Sequence, residues 1–159
     1  MKTELTNLGT ALRFAISMEA AAQEILEHQA RSAADPELKD FFLSLSNGNK
    51  KRKGILENLY KESLYSDQDT GIFEPIAGLT STDYIIGQTT AREGKHPGSL
   101  VQAIETEEKA HRYYTDLAAV LKSRRRTLSM TFQAMARENS NRKEKLLALQ
   151  NSQLREGTN

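Results

Sequence analysis

Residues 45–52 read Leu-Ser-Asn-Gly-Asn-Lys-Lys-Arg, and residues 135–142 read Met-Ala-Arg-Glu-Asn-Ser-Asn-Arg. At an offset of 90, Asn49 falls on Asn139 and Arg52 on Arg142. The match extends both ways. Leu38, Phe42, Leu45, Asn49, Arg52, Leu56 and Leu59 fall on Leu128, Phe132, Met135, Asn139, Arg142, Leu146 and Leu149. Each series steps 4, 3, 4, 3, 4, 3, which is one continuous stripe along a helix. Five of the seven positions are apolar in both copies; the other two are polar and identical.

A second pair of segments repeats at an offset of 88. Leu12, Ala15, Ile16, Glu19 and Ala22 fall on Leu100, Ala103, Ile104, Glu107 and Ala110. The one charged position on this stripe is again the same residue in both copies. The two repeats together imply a duplicated helical hairpin with pseudo-two-fold symmetry.

Working outward, four stretches carry a 3.6-residue apolar period. The first is expected from about Thr6 to Ser32. Ala-Ala-Asp-Pro ends it, with Asp35 as N-cap and Pro36 as first residue of a second helix reaching about Tyr65. A third is expected from Ser99 to about Leu121, and a fourth from about Thr127 to Arg155. Between Ser66 and Pro97 the period is broken by Gly71, Pro75, Gly78, Gly87, Gly94 and Pro97. A short helix over Thr82–Ala91 is expected there. The apolar Ile72, Phe73, Ile76, Leu79, Tyr84, Ile85 and Ile86 suggest that this connector covers the bundle or a partner protomer. The expected architecture is all-α: one domain over residues 1–159, two hairpins with short loops, and one long crossover connection over 66–97.

Composition narrows the function. Lys and Arg total 22 and Asp and Glu total 21, a net charge of +1. That balance gives no global pull toward nucleic acid or anionic membrane. No apolar run is long enough for a membrane span, and Met-Lys-Thr-Glu-Leu opens without a signal-peptide core. A cytoplasmic address with no membrane partner is the expectation. The chain has no cysteine, which excludes disulfides, thiolate nucleophiles, iron–sulfur clusters and rubredoxin-type iron.

Six polar groups therefore point into the helix core at one level: Glu19, Asn49, Arg52, Glu107, Asn139 and Arg142. Charged groups are rarely buried unless paired. Glu19 with Arg52 and Glu107 with Arg142 can pair, or the pairs can cross the axis. The competing reading is local. Ser-Asn-Gly-Asn-Lys-Lys-Arg-Lys-Gly is a poor helix sequence, and a break there would leave Arg52 in solvent among a basic run.

The stretches Ala15-Ile16-Ser17-Met18-Glu19 and Ala103-Ile104-Glu105-Thr106-Glu107, with Tyr113-Tyr114 beyond, resemble the first and third helices of the rubrerythrin-like branch of the ferritin-like superfamily. Residues 45–52 and 135–142 resemble its second and fourth. That resemblance implies a ferritin-like four-helix bundle and a homodimer. The family's diiron centre uses one Glu on each of two helices and Glu-x-x-His on each of the other two. Glu19 and Glu107 match the lone Glu ligands. Asn49 and Asn139 stand at the Glu, and Arg52 and Arg142 at the His, of each Glu-x-x-His. Arg has no lone pair to give a metal and stays protonated. The expectation is a bundle whose centre is a Glu/Asn/Arg ionic network, with no metal, no cofactor and no catalytic residue. Its role would be structural, interactive or regulatory, with an unidentified protein partner. The alternative is an iron-binding oxidoreductase or peroxidase with altered ligands.

Other groups carry weaker signals. Glu19, Glu107 and His111, with Gln23, form an alternative metal set. Glu108-Lys109-Ala110-His111 reads Glu-x-x-His, but Glu108 should face away from the Glu107 stripe. Glu24 and His28 are expected as a surface pair. The basic clusters at Lys50–Lys53 and at Lys122, Arg124, Arg125 and Arg126 lack interleaved aromatics, so nucleic acid is not the expected partner.

Overall fold

The computed structural model describes residues 4–65, 74–86 and 99–156. The elements are β1 (Glu4–Asn7), α1 (Leu8–Ser32), α2 (Pro36–Tyr65), β2 (Pro75–Thr80), a 3-10 turn (Ser81–Tyr84), α3 (Ser99–Leu121) and α4 (Arg126–Glu156). The chain divides into two compact units, Met1–Ile85 and Ile86–Asn159. In the first, α1 packs along α2; in the second, α3 packs along α4.

The first unit is set by its caps. Asn7 adopts extended backbone (φ −142°, ψ 164°), and its side chain accepts from the Thr10 N–H at 2.9 Å. The Thr10 hydroxyl accepts from the Asn7 N–H in return, which closes a capping box. The helix expected to start at Thr6 therefore starts at Leu8. Residues Glu4–Asn7 are instead held in an antiparallel ladder with Pro75–Thr80, pairing Glu4 with Thr80 and Leu5 with Leu79. At the other end of the hairpin, α2 begins at Pro36, and the Asp35 carboxylate accepts from the Glu37 N–H at 3.0 Å. Only a short connection therefore separates α1 from α2, so the two helices run back to back.

The buried stripe of α1 is Leu8, Ala11, Leu12, Ala15, Met18, Glu19, Ala22, Leu26 and Ala30; Phe42, Leu45, Asn49, Arg52 and Leu56 answer it from α2. In the second unit Leu100, Ala103, Glu107, Ala110, Tyr114, Leu117 and Leu121 face Phe132, Met135, Asn139, Arg142 and Leu146. Tyr114 stacks on Phe132 with ring centroids 5.8 Å apart. Ser129 donates to the Ala118 carbonyl at 2.7 Å and ties the two helices near their turn.

The short helix expected over Thr82–Ala91 is not what forms at its start. Ser81–Tyr84 make one 3-10 turn, and Ile85 then returns to extended backbone (φ −67°, ψ 128°). Tyr84 is buried with its ring edge-on to Phe14, 6.5 Å between centroids. Residues 87–91 of that expectation, and Ile72 and Phe73 of the apolar set, lie outside the described residues.

Candidate functional site

Each unit contains one buried triad of the same construction. In the first, Glu19 projects from the middle of α1 toward Asn49 and Arg52, which lie three residues apart on one face of α2. Asn49 Nδ2 donates to Glu19 Oε2 at 2.6 Å, and Arg52 NH1 donates to Glu19 Oε1 at 3.2 Å. In the second, Asn139 Nδ2 donates to Glu107 Oε2 at 2.6 Å, and Arg142 NH2 lies 2.9 Å from Glu107 Oε1. All six residues are at most 6% exposed.

The reason for burial is position on the stripes. Asn49 and Arg52 lie between Leu45 and Leu56, and Asn139 and Arg142 between Met135 and Leu146; these flanking residues are all buried. The helix α2 runs unbroken through Asn47–Gly54, so Arg52 enters the core and does not join Lys50 and Lys51 in solvent. One Glu–Arg ion pair forms within each hairpin.

The chemistry of the triad is that of a closed acceptor. An ionised carboxylate only accepts, so the Asn amide must present its NH2 group to it. Each Glu thus has one oxygen on an amide and the other on a guanidinium. The Glu and Arg charges cancel within each hairpin. A cation placed on either Glu would have to displace a charged hydrogen bond from an oxygen it needs, and its nearest new neighbour would be an amide N–H2 or a guanidinium, neither of which has a lone pair for it. The donor set does not fit iron. Among the described residues, no group of three or more His, Cys, Asp or Glu side chains could hold a metal ion.

The remaining expected groups separate from the triads. His111 is half-buried, and its Nδ1 lies 2.9 Å from the Ala136 carbonyl. A carbonyl only accepts, so that contact is a hydrogen bond when Nδ1 carries the proton. Glu108 pairs with Lys143 across to α4, away from Glu107. The hydrogen bond from Lys143 holds the Glu108 carboxyl below its usual range, against partial desolvation, with further help from the charges of Lys143, His111 and Arg112. Glu24 and His28 are exposed.

One polar cluster has no counterpart in the sequence reading. Gln23 donates to Glu27 Oε1 at 2.8 Å, and Ser46 donates to the same oxygen at 3.3 Å. The Gln23 bond is the main reason that the Glu27 carboxyl is lowered; desolvation opposes it, and Ser46, Arg31 and Lys50 assist. The four-residue spacing of Gln23 and Glu27 was the available signal. Ser46 sits one position from the matched stripe and gave none.

No family model matches the chain, and no curated protein matches it. Among solved structures it is similar to a protein of Thermotoga maritima described as a ferritin-like diiron-carboxylate protein. The TM-score is 0.69 at 20% identity, covering 90% of this chain and 93% of that one. Such a likeness speaks for fold, and the fold is the all-α, ferritin-like four-helix bundle.

Proposed function

We propose that this protein is a rubrerythrin-like member of the ferritin-like superfamily that has exchanged its diiron centre for two Glu-Asn-Arg triads. On this reading it is a metal-free, non-catalytic bundle with a structural, interactive or regulatory role, cytoplasmic and homodimeric. The observation that carries it is the pair of closed triads. At each, both oxygens of the Glu are engaged by an amide and a guanidinium, which by the resemblance stand at the positions of a Glu and a His ligand. A site for two irons needs carboxylate and imidazole lone pairs. Here four of the six positions supply none to a hard cation in the observed orientation.

Metal analysis of full-length protein produced with abundant iron tests this. Iron well below stoichiometry is expected; about two irons per chain, the load of the family centre, would overturn the proposal. The converse variant carries Asn49→Glu, Arg52→His, Asn139→Glu and Arg142→His. Recovery of iron binding is expected, because those changes return carboxylate and imidazole to buried positions beside Glu19 and Glu107. The second reading, an iron oxidoreductase with altered ligands, draws on the description of the Thermotoga protein as a diiron-carboxylate protein. It predicts the opposite metal result with the unmodified chain.

A further inference from the structure

The internal repeat provides a control for its own surface. At the offset of 90, Asp35 corresponds to Arg125, Pro36 to Arg126 and Glu37 to Thr127. Asp35 and Arg125 do the same backbone job: the Asp35 carbonyl accepts from the Lys39 N–H at 3.0 Å, and the Arg125 carbonyl from the Ser129 N–H at 2.8 Å. Their side chains have opposite charge. Asp35 also caps α2 through its carboxylate, whereas Arg has no acceptor with which to cap α4. A helix N-terminus favours anions, yet α4 starts with Arg126 and has no acidic residue in its first turn. The first hairpin shows that this turn can be built with an acid and a proline. Lys122 and Arg124 follow the C-terminus of α3 and suit its dipole, but local stability at the start of α4 does not account for Arg125 and Arg126.

The charge is concentrated and outward. Lys122, Arg124, Arg125 and Arg126 are all exposed, and residues 117–137 contain no Asp or Glu. Met130, one turn into α4 from Arg126, is 59% exposed, the most exposed large apolar side chain among the described residues. The aromatic residues of the second unit, Tyr113, Tyr114 and Phe132, are fully buried. Among the described residues, no Phe, Tyr or Trp of that unit is available to stack on a nucleic-acid base.

We propose that the α3–α4 turn docks on an anionic lipid surface, with Lys122, Arg124, Arg125 and Arg126 against the headgroup charge and Met130 entering the interface. A helical turn presents a convex tip, which suits a plane of charge and needs no groove. Basic residues gain near an anionic leaflet, and an adjacent apolar side chain adds a contribution that a nucleic-acid backbone would not reward. Docking of this kind is peripheral and reversible; it is independent of whether the triads hold metal.

The test is co-sedimentation of the full-length protein with phosphatidylcholine vesicles and with vesicles in which roughly a third of the lipid is phosphatidylglycerol. Binding is expected only to the second, and to fall steeply with salt. The variant Lys122→Gln, Arg124→Gln, Arg126→Gln should bind about a hundredfold more weakly, taking about fivefold per cation. Met130→Ser should cost about fivefold. Lys50→Gln with Lys51→Gln, on the outer face of α2, should leave binding unchanged. Equal binding to both vesicle types, or full binding by the turn variant, overturns the proposal. So does binding to a DNA duplex that needs the same cations but is indifferent to Met130, which would reassign the turn to nucleic acid. Should the triple variant lose its helical circular dichroism, the salt arm and Met130→Ser on folded protein decide.

Discussion

Replacing Arg52 by Met tests the central claim about how this core is held. Met keeps most of the aliphatic stem and removes the guanidinium. Glu19 is 1% exposed and Arg52 3% exposed, so solvent cannot take over the lost hydrogen bond to Glu19 Oε1. Asn49 would remain as a donor on Oε2, a neutral group facing a full charge. Breaking a buried ion pair from one side costs roughly 3–5 kcal/mol. For a chain of this length each kcal/mol moves the melting temperature by about 2–4 °C, so the expected fall is about 6–20 °C. The intact pair itself contributes little, because desolvation of two charges offsets most of their attraction. Adding Glu19→Gln to Arg52→Met should therefore recover much of the loss: the stranded charge is gone and an amide can still face Asn49. Thermal denaturation followed by circular dichroism at neutral pH measures all three proteins. An Arg52→Met variant melting within about 1 °C of the unmodified protein would refute the reasoning. A double variant worse than the single would refute the account of the cost as a stranded charge.

Acid titration addresses Glu27. Its carboxyl is lowered from an ordinary 4.5, so the folded form binds fewer protons than the unfolded one. The stability it contributes is complete above 4.5 and is lost as pH falls through the lowered value. Gln23→Ala should raise the NMR titration midpoint of Glu27 and make the acid limb shallower, with Ser46→Ala doing so less; an unmoved midpoint in Gln23→Ala would count against the assigned cause. The caps make a matched pair of expectations. Asp35→Ala should lose about 1 kcal/mol of stability in denaturant unfolding, through the lost bond to the Glu37 N–H. Arg125→Asp should gain a similar amount, since it supplies the missing acceptor and reverses the charge at the start of α4. Destabilisation by Arg125→Asp would contradict the view that Arg125 is kept against local stability at the start of α4.

The four helices were legible because each buries a stripe that the 3.6-residue period writes directly into the sequence. Proline and aspartate marked the start of α2 to the residue. The triads were legible for the same reason: a polar residue on an apolar stripe is conspicuous, and the repeat showed it twice. Which Glu pairs with which Arg was not, because periodicity fixes a residue's face and height but leaves its partner across the axis open. The ladder of β1 with β2 was also hidden. Its partners stand some 70 positions apart, as Leu5 and Leu79 do, and each strand is too short to show an alternation. Asn7-x-x-Thr10 is a capping box closed by Thr, where the usual signature has Glu or Gln, so the apolar period was carried two residues too far into Thr6.

Set against the diiron pattern, the Asn and the Arg of each hairpin make sense only together. In the diiron pattern that the proposed ancestry supplies, each half has two carboxylates and one imidazole around a cation. Without the cation, the carboxylate of Glu107 and that of a Glu at position 139 would repel each other in the space where Asn139 now bonds to Glu107 at 2.6 Å. Replacing that Glu by Asn, which ends in an amide and is one methylene shorter, turns the repulsion into a hydrogen bond. Glu107 would then hold an uncompensated charge in the core, and a neutral imidazole at 142 could not balance it. Arg142 supplies the positive charge that a metal supplies in that pattern, from a side chain long enough to place NH2 at 2.9 Å from Oε1. Asn without Arg leaves a buried anion, and Arg without Asn leaves two carboxylates for one guanidinium. The neutral half with both Glu oxygens bonded requires both, and it occurs twice, at Glu19 and at Glu107.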